Sequence, residues 1–289
     1  MITKSDVARS PTNALTVETN FQRDWVSWLR HLLNSEHVSL PATATDQDVE
    51  LAYFSFQRKL IRPIPRKSHR SRMFKSPRRL RRRVAKLERL IQGGADLRPY
   101  LSRRLQEAQF KDGLLNDWGV HHLHLGAKME ADGFIERTSA LLFVRFTDTD
   151  AYLLDVCSHG DWSRQSLLQT MVDTWPDEMG RYRINGLSPG TGGHTDEDIG
   201  RLRRAGINVM HTINGELYAP LGGGMTFSRD SVHALMNADR ARRVIQYVEQ
   251  QVNDMAGQAL GDRGFEGRLR LTLTFGPAGL GVTDDAARV

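Results

Sequence analysis

The sequence predicts an α+β protein: a helical basic N-terminal region, a central antiparallel sheet and a C-terminal α/β unit. Three observations predict it. Apolar residues recur at spacings of three and four up to about residue 92, they alternate from residue 120, and short strands and helices follow a glycine-rich break at 188–195. At roughly 100 to 200 residues per domain, 289 residues provide for two units, and the element order divides the chain into 1–96, 97–187 and 188–289. With 39% hydrophobic and 26% charged residues, the composition is that of a globular chain. The longest apolar run, 140–144, stops at Arg145, far short of the roughly 20 residues of a membrane span. No membrane partner is expected. The polar stretch 1–20 lacks the apolar segment of a secretory signal. A single cysteine, Cys157, excludes an internal disulfide and multi-cysteine metal sites, so a reducing, cytoplasmic setting is expected.

The elements follow in order. Residues 1–20 hold turn formers without periodicity and read as a loosely held terminus. In 21–33, Phe21, Trp25, Trp28, Leu29 and Leu32 share one helical face; 46–60 forms a second helix capped by Thr45. Pro63, Pro65 and Pro77 interrupt regular structure, and a helix resumes over 77–92 until Gly93-Gly94 ends it. A short helix is expected over 97–109. Strands are expected over 120–126, 140–147 and 151–158, the last two joined by the turn 148–150 and hence antiparallel. Asp161 is placed to cap a helix reaching Thr174. After the linker 188–195 come a helix over 195–205 capped by Thr195, a hairpin of 207–213 and 216–221 through Asn214-Gly215, and a long helix capped at Ser228 with core residues from Val232 to Met255. A strand pair, 269–275 and 280–283, closes the chain.

Charge is unevenly distributed. Residues 58–89 hold fifteen Lys/Arg and one acid, Glu88; that segment carries +14, so the remainder of a chain of net +6 carries −8. Such a stripe binds a polyphosphate by releasing its counterions. The expected partner is nucleic acid, RNA in preference, with Arg78, Arg79, Arg81, Arg82, Arg83 and Lys86 as contacts. The alternative is a solvated basic face that neutralises the acidic remainder.

His121-His122-Leu123-His124 is the most unusual stretch. Alternation along a strand places His122 and His124 on one face and His121 with Leu123 and Leu125 on the other. With Leu123, Leu125, Tyr152, Leu154 and Val156 read as core, His122, His124, Arg145, Asp155 and His159 converge on the opposite side. A neutral imidazole takes a proton from a ribose 2′-hydroxyl while a protonated one supplies the leaving 5′-oxygen. Arg145 or Arg137 stabilises the phosphorane charge. This chemistry requires no metal or cofactor, and none is expected. The competing readings are a metal-dependent hydrolase, with His159 and Asp155 completing a tetrahedral shell, and a non-enzymatic nucleic-acid-binding regulator whose histidines are structural.

A basic helical lead-in, an antiparallel sheet and a helix, with histidine and arginine on the strands, resemble the RelE/ParE-type toxins and the small metal-independent ribonucleases sharing that sheet. The resemblance covers about residues 97–183 and rests on element order. It implies RNA cleavage to a cyclic phosphate in a toxin-antitoxin or phage-defence setting, with an antitoxin as a further partner. Three other features are weighed. Gly222-Gly223-Gly224 lacks the P-loop lysine and reads as a flexible turn; Trp162 reads as the start of a buried helix in preference to a base-stacking residue; Cys157 reads as packing.

Overall fold

The computed structural model describes residues 15–190, 193–277 and 279–284. In chain order the elements are β1 (Thr16–Thr19), α1 (Phe21–Ser35), α2 (Asp46–Lys59), β2 (Lys67–Arg70), α3 (Arg81–Gln92), α4 (Gly113–Trp118), β3 (Val120–His124), β4 (Ala140–Phe146) and β5 (Asp150–Ser158). They continue with α5 (Ser166–Thr174), α6 (Pro176–Gly180), α7 (Asp196–Arg204), β6 (His211–Ile213), β7 (Glu216–Tyr218), α8 (Val232–Gly261), β8 (Arg268–Gly276) and β9 (Gly279–Asp284). The α+β class follows directly from this mixture.

The central sheet has the order β2-β5-β4-β3. β3, β4 and β5 pair antiparallel, but β2 pairs parallel with β5, so the sheet is mixed and not wholly antiparallel. β2 lies in the proline-bounded stretch expected to be irregular. Pro63 and Pro65 precede it and Pro77 follows it, so no ladder position lacks its N–H, and an edge place suits such flanks.

Both faces of this sheet are buried. On one, Leu123, Leu125, Leu142, Val144 and Leu153 pack with α1, α2 and α3; on the other, Val120, Leu141, Phe143, Leu154 and Cys157 pack with Trp118, α5, Ile199 and the β6-β7 hairpin. The register shifts between Phe143 and Val144, where Phe143 faces Asp155 and Val144 faces Leu153. That bulge moves Leu154 across to the histidine face, so the strict alternation that assigned Leu154 and Val156 to one side does not hold.

Several boundaries differ from expectation for local reasons. Residues 97–109 form two short 3-10 turns, Arg98–Tyr100 and Arg103–Gln106, because Pro99 lacks a donor and Leu101 turns extended. Asp161 does not cap a long helix; it accepts from the Ser158 amide at 2.9 Å and opens a 3-10 turn, Asp161–Ser163, before α5 begins. The strand expected over 207–213 shrinks to β6. Ser231 and not Ser228 caps α8, accepting from the Ala234 amide at 3.3 Å, while Ser228 donates to Asp230. The caps at Thr45 and Thr195 form reciprocal boxes with Asp48 and Asp198. Asn214 and Gly215, both at positive φ, make the hairpin turn.

The core crosses the divisions at 96 and 187. Ile245 of α8 and Leu273 of β8 belong to the same cluster as α1 and α2. Glu50, wholly buried on α2, accepts from Arg242 of α8, and Glu249 of α8 accepts from the Phe21 amide at 3.0 Å. β1 pairs parallel with β8, so residues 16–19 are strand and not a loose terminus; residues 1–14, and 191–192 of the expected linker, lie outside the described residues. The C-terminal part therefore shares its core with α1 and α2.

α8 also buries less than its apolar content suggests: Ala234, Ala238 and Ile245 are buried, whereas Met236, Val244, Tyr247 and Met255 are exposed. Ile245→Val is expected to destabilise by about 0.5 to 1.5 kcal/mol, and Val244→Ala by no more than about 0.5 kcal/mol, read from urea midpoints. Among the described residues no helix is long and apolar enough to cross a membrane.

Candidate active site

The predicted histidines gather at the end of the sheet where β3 finishes, β4 begins and β5 finishes. His122 faces Phe143 and His124 faces Leu141 across the ladder. His159, just beyond β5, is tied to that end by its amide, which donates to Ser139 O at 2.8 Å. The 3-10 turn then presents Trp162, whose ring stacks on Phe143 at 5.6 Å. His122 and His159 each meet Trp162 edge-on, at 4.8 and 5.1 Å between ring centroids. His124 lies 6.4 Å from His122 and 6.3 Å from His159. The three predicted histidines are thus brought together, and Trp162 is the ring that His122 and His159 share and not the start of a long buried helix.

A cleft of about 460 Å³ opens over them. His122, His159 and Trp162 form part of its wall, with Asp112, Phe110 and Arg203 beside them and Arg137, Arg204 and Arg229 among its cations. Two further cations of the wall are already engaged: Arg104 with Glu107 and Lys111 with Asp230. Arg137, Arg204 and Arg229 are exposed and have no carboxylate within ion-pair distance among the described residues.

His124 is set back from the cleft at 2% exposure, with Nδ1 unpaired. Burial, reinforced by His122, Arg137 and His159, pushes its pKa down to about 4. The His122 pKa is also lowered, by burial first, against the opposing pull of Asp112. Its Nδ1 stands 4.0 Å from Asp112 Oδ2, too long for a hydrogen bond but short enough to close on a small movement. Asp112 is itself held by capping α4, accepting from the Leu115 amide at 3.0 Å. His121, on the other face, is edge-on to Phe146, and burial lowers its pKa to about 4.

Of the other predicted residues, Arg137 joins the cleft and Arg145 does not. Arg145 is buried beside Trp118, its guanidinium donating to Tyr182 Oη and lying within 3.4 Å of the Trp118 and Leu221 carbonyls. A side chain at Gly119, which ends α4 at φ +68°, would collide with it. Asp155 pairs with Arg164 at 3.2 Å and is not part of the cleft wall. Burial pushes the Cys157 thiol up to about 12, in keeping with packing. Among the described residues no group of three or more His, Cys, Asp or Glu side chains is placed to hold a metal ion.

The basic stripe divides. Arg58 donates to the Gly222 carbonyl, Arg66 donates to Thr147 O at 2.6 Å, and Lys59 is buried by Phe110 with its pKa lowered to about 8 by desolvation. These are internal struts. Arg78, Arg79, Arg81, Arg82 and Lys86 remain exposed, and Arg83 is half-buried with Nη1 donating to Leu125 O at 2.8 Å. Gly222-Gly223-Gly224 is no flexible turn, since Gly222 lies against the Leu115 and Asn116 carbonyls and Gly223 against His233.

The sequence reading missed Asp112 as a partner of His122 and missed Arg204 and Arg229. Asp112 had a signal, an aspartate before a short helix; the two arginines arrive from α7 and a turn some 80 to 110 residues away in the chain, and carry none. Beneath them a buried network joins the parts. Arg203 donates to Asp117 Oδ2 at 2.7 and 3.0 Å and to the Trp162 carbonyl, and the Trp118 indole donates to His211 Nε2 at 3.1 Å. Compared with protein-family models, curated proteins and solved structures, the chain matches none.

Proposed function

We propose that this protein is a ribonuclease that cleaves RNA by histidine acid-base chemistry. The observation that carries the reading is the meeting of His122 and His159 on Trp162 in the wall of a cleft that also holds three arginines without a carboxylate partner among the described residues. Cations left unpaired beside two imidazoles call for an anion from outside, and a phosphodiester supplies it.

His122, held neutral by burial, accepts the proton of a ribose 2′-hydroxyl. The 2′-oxygen attacks phosphorus, the bond to the 5′-oxygen breaks, and His159 gives that oxygen its proton, leaving a 2′,3′-cyclic phosphate. Arg137, Arg204 and Arg229 balance the charge that grows on the phosphorane. His124, behind the wall, supports the two working rings and does not touch the substrate.

The test is cleavage of an oligoribonucleotide and its all-deoxy counterpart, each with and without chelator. Cleavage of the ribose strand alone, undiminished by chelator and yielding a cyclic phosphate end, is expected. Loss of activity with chelator would make the protein a metal-dependent hydrolase. Binding without cleavage would make it a nucleic-acid-binding regulator, a reading that the exposed arginines of α3 favour.

A further inference from the structure

The cleft and the exposed arginines of α3 lie on opposite sides of the central sheet. The cleft belongs to the face of Phe143 and Trp162, whereas Leu80, Val84, Leu87 and Ile91 pack α3 on the face of Leu123 and Leu142. Yet both reach the same end of that sheet. The C-terminal end of α3 sits at the start of β2, where Ile91 O accepts from the Arg66 amide at 3.3 Å. Its N-terminal end therefore points the other way, and Arg83 touches Leu125 O, one residue past His124. The segment leading into it is fastened alongside, with the Lys75 amide donating to Asp155 at 2.9 Å. Arg78, Arg79, Arg81 and Arg82 are exposed there and form no ion pair with any described residue.

Phe227, 90% exposed, lies between two residues of the cleft wall, Met225 and Arg229. It sits on a tight turn in which the Arg229 amide donates to Thr226 O at 2.8 Å, two positions from each of those residues. A phenylalanine exposed to water on a hydrogen-bonded turn offers a stacking face to a base that is not already paired.

From this arrangement we infer that the substrate is single-stranded RNA, which stacks a base on Phe227, crosses the cleft and bends over the end of the sheet onto the arginines at the start of α3 and in the turn Arg78–Leu80 before it. The inference rests on the ribonuclease reading for the cleft and adds the form of the RNA. With packed layers about 10 Å apart, the two cationic surfaces are separated by on the order of 20 Å around an edge. A double helix, stiff over about 50 nm in the case of DNA, cannot follow that turn. A single strand can, and every contact it meets is to phosphate or to a base face.

Binding of 2′-O-methyl RNA, which offers no hydroxyl for attack, tests the path apart from the chemistry. Three probes are compared on the full chain: a long single strand, a tetranucleotide, and the long strand annealed to its complement. Replacing Arg78, Arg79, Arg81 and Arg82 together by alanine is expected to weaken the long strand and to lower its log-affinity against log-salt slope by about 3, at roughly 0.7 per cation. The tetranucleotide and the duplex should be unaffected. Phe227→Ala is expected to weaken both single strands by roughly 5- to 100-fold, the scale of one base-aromatic stack, and not the duplex. Equal weakening of duplex and single strand by either variant, or no effect of either, overturns the inference. Both sites are exposed, and unchanged unfolding midpoints verify that the variants fold. If the pattern holds while unmodified RNA stays intact, the strand path stands and the ribonuclease reading falls.

Discussion

Replacing His122 or His159 by alanine is expected to slow RNA cleavage by about 100- to 10,000-fold each, with binding to the arginines of α3 unchanged. The two losses should not multiply in the double variant, because a base and an acid that act in one step are a single device. His124→Ala should cost less, since that ring lies behind the cleft wall at 2% exposure. The pH profile supplies an independent check. A base works when unprotonated, and burial lowers the His122 pKa below its ordinary 6.5. The acid-side limb of kcat/KM should therefore fall off below pH 6.5 and not at it. Asp112→Asn removes a carboxylate that raises the His122 pKa and should move that limb further toward acid. An acid limb above 6.5, or full activity in both alanine variants, would remove His122 and His159 from the chemistry.

The second large effect is expected far from any reacting atom. Asp117 is 4% exposed, and its partner Arg203 lies within the same interior. Burial by itself would raise the Asp117 pKa; the hydrogen bond with His211 and the charge and hydrogen bonds of Arg203 outweigh it, and the carboxyl is held below its ordinary 3.8. Asp117→Asn leaves a buried guanidinium uncompensated, and a loss of about 3 to 5 kcal/mol in unfolding free energy is expected. The sign of the pH dependence follows from the lowered pKa. The contribution is full above the unfolded-state pKa and is lost as the pH falls through the folded one. The gap between the native chain and the variant should thus be constant above about pH 4 and close below it. Because Arg203 also donates to the Trp162 carbonyl, the same variant should slow cleavage by loosening the hub on which His122 and His159 rest.

Local chemistry made part of this legible in the linear chain. Caps at Thr45 and Thr195, the Asn214-Gly215 turn, the helical stripe of Phe21, Trp25 and Leu29, and the pairing of His122 with His124 on one strand face all depend on neighbours within a few positions. Capping bonds, turn dihedrals and strand alternation are short-range, and residue type at fixed spacing decides them.

Tertiary structure decided the rest. Arg145 and Arg137 are alike as residues, yet one is clamped beneath Tyr182 and the other lines the cleft. Arg58 and Arg82 belong to one charge run, yet one holds the Gly222 carbonyl inside the protein and the other stands in solvent. The bulge opposite Phe143 sent Leu154 to the face that alternation denied it, and α8 joined α1 and α2 instead of its sequence neighbours. A charge run or an apolar stripe states only that a surface must be satisfied. Which surface satisfies it depends on partners such as Glu50 for Arg242 and Asp117 for Arg203, brought from some 190 and 86 positions away, and no local pattern encodes a contact of that separation.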